Sequence, residues 1–140
     1  MEMFDYSAVN WLAVIIAAVA NVVVGTVWYL PQVFGKQWAA LTGREINTAP
    51  NPMLYVIAIL GSLITAYVLA LVFEVVMTAR GPVSFIDGIV IGLIASVGFQ
   101  LTSLAVGGAF EGRSWTLFAI NAGNSLVSFA VMGAILAAMS

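Results

Sequence analysis

The 140-residue chain contains no cysteine and no histidine. Disulfides, thiol chemistry, zinc-finger patterns, imidazole bases and the usual axial ligands of haem are therefore excluded together. Charge is nearly as scarce. Four Lys and Arg and six Asp and Glu make up 7% of the residues, against about 25% in soluble domains. A net charge of −2 leaves no basic stripe for phosphate contacts and no polybasic cluster for anionic lipid, so nucleic acid is not an expected partner. The single lysine, Lys36, falls between hydrophobic runs, where it cannot form a buried Schiff base. No cofactor and no metal site is expected.

What the chain has in abundance is apolar surface, with 63% hydrophobic residues and a mean hydropathy of +1.12. It is gathered into four runs, at about 9–30, 53–79, 85–106 and 115–139. Each meets the requirement of ~20 apolar residues for ~30 Å of hydrocarbon. Hydrocarbon cannot satisfy free backbone groups, and a closed barrel would show alternating strands of ~10 residues, so all four runs are expected to be helices. The first ten residues carry Glu2 and Asp5 where a secretory signal would carry Lys or Arg, so the first run is expected to be retained. The fold class is all-α: one polytopic transmembrane domain over residues 1–140, a four-helix bundle with a short interfacial helix after the first span.

Aromatic residues support these limits. Trp11 and Trp28 are seventeen residues apart, or roughly 26 Å along a helix, which sets them at opposite interfaces. In the longest connection Val33, Phe34, Trp38 and Leu41 recur at helical spacing opposite Lys36 and Gln37. That pattern predicts a short helix at the membrane surface, with Pro31 in its first turn and Gly43 at its end. Residues 47–52 are rich in turn formers and read as coil. Lys36, Arg44 and Arg113 fall at one face of the membrane and Arg80 at the other, so the positive-inside rule puts the first and third connections in the cytoplasm and both termini outside.

Small residues step by four along two spans, as Ala58, Ser62, Ala66 and Ala70 and as Ser84, Gly88, Gly92 and Ser96. Such rows let helix backbones approach closely, within the chain or between chains. Asn21 and Asn124 each lie nine residues from the end of their spans at the predicted cytoplasmic face, a shared depth of about 13 Å. Gln100 and Asn121 lie one or two turns nearer that face, and Ser125 and Ser128 follow Asn124. Amides in hydrocarbon must find partners, which gives them either a positioning role between helices or, with Thr102 and Ser103, a place along a polar path or small-solute pocket. Glu74 is the one carboxylate inside a span and a possible ionisable site, within reach of Arg80 and of the helix start near Asp87. Glu111 and Arg113 read as a solvated loop pair. With no base to activate a serine and no paired carboxylates, an enzyme is not expected.

Asn10-Trp11-Leu12-Ala13 opens the first span, Trp28-Tyr29-Leu30-Pro31 closes it, and Phe34-Gly35-Lys36 and Trp38 follow. In these residues, and in Met132-Gly133-Ala134-Ile135-Leu136-Ala137 of the last helix, the chain resembles the bacterial membrane family called domain of unknown function 1761. The resemblance implies a small four-helix protein of the bacterial inner membrane and supplies no activity. It draws attention to Trp28, Tyr29, Phe34, Lys36 and Trp38, as an anchor fixing the depth of the first helix or as a contact for lipid or partner. Two functions remain open from sequence. One is a structural or accessory bundle that self-associates or joins a larger membrane complex; the other is an oligomeric channel or transporter for a small solute or ion. Whether Asn21, Gln100, Asn121 and Asn124 meet one another or line a hydrated cavity separates them.

Overall fold

The computed structural model describes residues 5–44 and 51–140. Helix α1, Trp11–Trp28, begins where the Asn10 side chain accepts a hydrogen bond from the Ala13 amide at 3.2 Å, which supplies one of the acceptors that the first turn lacks. A π-helical turn at Pro31–Gly35 leads into α2, Lys36–Thr42, which stops at Gly43 in the left-handed region with φ 74°. Only a residue without a Cβ takes that conformation freely, and this ends the short helix where the sequence placed its end. Helix α3 is Pro52–Arg80. Helix α4, Phe85–Ala95, continues through a π-helical segment, Ser96–Leu101, into α5, Thr102–Phe110. Helix α6 is Trp115–Ala138.

Four helical stretches, Trp11–Trp28, Pro52–Arg80, Phe85–Phe110 and Trp115–Ala138, are long and apolar enough to cross a membrane. Two boundaries differ from expectation. Of the stretch read as coil, residues 47–50 lie outside the described residues, Asn51 caps α3 and Pro52 is its first residue. Proline has no N–H to offer, and the first helical position needs none, so it starts this helix instead of preceding it. The third span runs on to Phe110: Gly107 and Gly108, a pair that commonly marks a turn, stay helical, and the chain turns at Gly112, where φ is 70°.

Helix α1 packs between α3 and α6, and α6 packs between α1 and α4. In hydrocarbon no hydrophobic force drives these contacts, so close packing must hold them. The α4–α6 crossing shows how. Gly88 and Gly92 of α4 meet Gly133 of α6 backbone to backbone: a Cβ added at Gly133 would overlap the Gly88 carbonyl, and one at Gly92 the Phe129 carbonyl. Ser62, Ala66 and Ala70 are buried on the matching row of α3, while Ala58 and Ser84 at the ends of the two rows are exposed.

The packing is uneven along the bundle. Ala13, Val14 and Ala17 of α1, Leu69 and Phe73 of α3 and Met132 and Leu136 of α6 form a buried core in the half containing the start of α1 and the end of α6. Trp11 stacks on Tyr67 there with ring centroids 5.0 Å apart, and Asn10 Nδ2 donates to the Met139 carbonyl at 2.9 Å. In the other half, residues 51–61 are all exposed and α5 buries nothing. That half holds the polar residues.

Candidate functional site

On α6, Asn121, Asn124, Ser125 and Ser128 follow at steps of three, one and three, so all four lie on one helical face. Ser125 is fixed by Ser96, the hydroxyl oxygens lying 2.8 Å apart with both residues buried. Asn121 is fixed from the end of α1, where Tyr29, the residue that follows the helix, donates its hydroxyl to Asn121 Oδ1 at 2.6 Å. Asn21 donates from Nδ2 to Ser62 Oγ at 2.7 Å and ties α1 to α3. Gln100 stands on the π-helical segment; the extra residue in such a turn re-aims the side chains that follow, and these turns recur at functional sites.

Asn21, Gln100, Asn121 and Asn124 line one cavity of about 280 Å³, with Tyr29, Thr65, Ser125 and Ser128 among the other residues of its wall. The structure thus brings together all four amides that the sequence singled out. None of their hydrogen bonds runs to another of the four; their partners are Ser62 and Tyr29. Asn124 Oδ1 and Ser128 Oγ are buried in the wall with no hydrogen-bond partner, and Ser128 is only 2% exposed. Leaving such an atom unsatisfied costs about 1–3 kcal/mol. No Asp, Glu, Lys or Arg lines this cavity, so its field comes from amide and hydroxyl dipoles alone.

The chamber adjoins two others. A cavity of about 260 Å³ toward the α5–α6 turn shares Gln100, Leu104 and Asn121 with it and includes Ser103. There Glu111 and Arg113 form an ion pair at 2.6 Å, with both side chains more than half exposed, as the solvated pair expected from sequence. A cleft of about 600 Å³ between α1 and α3 shares Asn21, Tyr29 and Asn124. Thr102 bonds back to Gly98 of its own helix at 2.8 Å and lines none of these three cavities.

Glu74 is not brought to the amides. It lies half-buried on α3 near the packed core, and the sole ion pair among the described residues is Glu111–Arg113, so neither Arg80 nor any other base pairs with it. The aromatic stretch after α1 folds back onto its own chain. Trp28 donates its indole N–H to the Ile120 carbonyl at 2.9 Å and packs on Phe34 at 4.7 Å, while Trp38 meets Tyr29 edge-on at 6.0 Å. Lys36 stays exposed. These contacts run within the chain. They also brace Tyr29, and through it Asn121.

Sequence reasoning missed Gly123, against which the Trp28 ring lies; a Cβ there would meet the indole at 2.6 Å. It also missed the π-helical segment and the place of Tyr29 in the chamber wall. The position of Gly123 between Asn121 and Asn124 was the available signal for a close approach. Gly123→Val is expected to push Trp28 off its seat, shift its fluorescence to the red and destabilise the protein by about 1–3 kcal/mol. Unshifted emission and an unchanged unfolding midpoint would show that the indole does not sit there.

Together these features define a polytopic α-helical membrane protein with one half closed by packing and an uncharged polar chamber in the other. Residues 12–137 match the family described as protein of unknown function (DUF1761), and the chain belongs to it. No curated protein and no solved structure matches the chain.

Proposed function

We propose that the protein is a membrane carrier for a small uncharged polar solute, which it receives in the amide chamber. The observation that supports this most directly is the convergence of four amides, Asn21, Gln100, Asn121 and Asn124, on one cavity that no charged side chain lines. Carboxamides carry both a donor and an acceptor, which suits a ligand that donates and accepts hydrogen bonds at neighbouring atoms, as polyols and amides do. The lack of any Asp, Glu, Lys or Arg in the wall argues against ions. A carrier fits better than an open channel, because Val14, Phe73 and Met132 fill the opposite half of the bundle.

The structural or accessory reading has less to rest on. The small-residue rows that would offer a surface for self-association are occupied by neighbouring helices of the same chain, at Gly88 and Gly92 against α6 and at Ser62, Ala66 and Ala70 in the interior. In this proposal the protein is not an enzyme, and its chamber opens toward the face that bears Lys36, Arg44 and Arg113. By the positive-inside rule that face is cytoplasmic, in a bacterial inner membrane with both termini outside.

The test is glycerol and urea entry into vesicles, followed by light scattering. Vesicles with the native protein are expected to swell faster than protein-free ones. Asn124→Leu, which keeps the volume and removes the amide, is expected to lower the added permeability roughly ten-fold or more, corresponding to ~1.4 kcal/mol. Equal permeability in the variant, at equal protein incorporation, would take Asn124 out of this role.

A further inference from the structure

The cleft between α1 and α3 adjoins the chamber through shared wall residues, and it lies along the membrane-length part of both helices. Its walls are Val22, Gly25 and Leu30 on one side and Tyr55, Ala58 and Gly61 on the other. Gly25 and Gly61 have nothing within 4 Å of an added Cβ, so the cleft is open space and not a tight helix crossing. Residues 51–61 of α3 are exposed, while Ser62 is buried and held against α1 by its hydrogen bond to Asn21. At its inner end the cleft shares Asn21, Tyr29 and Asn124 with the chamber, so two amides stand where the two spaces meet. A side opening at this depth faces acyl chains.

The geometry points to an uncharged single-chain amphiphile as a ligand of this site, its tail in the α1–α3 cleft and its head group in the amide chamber. This assignment rests on the proposed use of the chamber and adds a route from the lipid. The apolar cleft alone would hold any acyl chain, since lipid tails are as apolar as its walls. Selectivity must come from the inner end, where neither cavity has a Lys or Arg to pair with a phosphate or carboxylate, nor an Asp or Glu to pair with an amine. Transferring a charged head there would leave it unpaired in a low-dielectric site, which is costly. An acylglycerol or a fatty amide carries the neutral donors and acceptors that the wall can use, and 1-oleoylglycerol is the probe of choice.

In phosphatidylcholine vesicles, a 1-acylglycerol with a photoreactive group in its chain is expected to crosslink to the second half of α1 and the first half of α3. Excess 1-oleoylglycerol should compete for this labelling, whereas oleate should not. Gly61→Phe, which fills the cleft from a position with free space around it, is expected to reduce the labelling roughly ten-fold, as is Asn124→Leu. Labelling spread over outward-facing residues such as Ile86, Phe99 and Phe110, without competition, would mean bulk lipid only and would overturn the assignment. Glycerol entry measured in the same vesicles separates the two proposals. If it persists without selective labelling, the lipid route alone fails; if both are absent, the chamber fails as a site.

Discussion

Replacing Gly133 by leucine is expected to cost the protein more stability than any other single change considered, about 3 kcal/mol or more, the upper end of what overpacking costs. Any side chain at this position starts inside the backbone of α4. Its Cβ would overlap the Gly88 carbonyl oxygen, lie 3.0 Å from the carbonyl carbon and come within 3.4 Å of the Gly92 Cα. None of these atoms can rotate away. The helices must separate, and dispersion contacts along the whole crossing weaken together, since their attraction falls steeply with a gap below an ångström. By comparison an interhelical hydrogen bond such as Asn21 to Ser62 contributes only ~0.6 kcal/mol on average. Gly98→Leu, in the π-helical segment with nothing within 4 Å of its Cβ, is the control and is expected to unfold at the native midpoint. Unfolding in detergent, followed by circular dichroism, checks the pair. Equal midpoints for Gly133→Leu and the native chain would mean that the crossing is not held by backbone contact.

The spans were legible because the requirement to satisfy backbone groups in hydrocarbon acts on every residue of a run, and no tertiary detail can override it. The small residues on α3 and α4 were legible for a related reason: a step of four marks one helical face, whatever it packs against. The partner of that face was not. Gly133 has one small residue a step of four away, Ala137, too short a row to stand out in a run rich in alanine, and the crossing of α4 on α6 makes it critical. The depth of the amides could be counted from the span ends, so their convergence on one cavity was within reach. The role of Tyr29 was not, because its hydroxyl meets Asn121 only through the break between α1 and α2. The π-helical segment left no sequence trace at all. Ser96–Leu101 differs from its neighbours in backbone pairing and not in residue type.

A cysteine scan is expected to divide the molecule at mid-depth. Because the native chain has no cysteine, each introduced thiol reports alone. Gln100→Cys, Asn121→Cys and Asn124→Cys line the chamber and should react with a small charged, membrane-impermeant thiol reagent. Ala17→Cys and Ala70→Cys, in the packed half, should not, and neither should Val19→Cys and Ile94→Cys, which face outward into lipid. The attacking species is the thiolate, and apolar surroundings raise the thiol pKa; a rise of about two units cuts the thiolate fraction roughly a hundred-fold. The contrast should therefore approach all or none even where the reagent could fit. Sidedness follows from the same experiment. In vesicles of uniform orientation, every reactive position should respond to reagent on the face of Lys36, Arg44 and Arg113 and remain unmodified from the other. Reaction of Asn124→Cys from both faces would replace the carrier with a continuous pore. Silence at Gln100, Asn121 and Asn124 alike would make the chamber dry, and its amides would then serve to position helices.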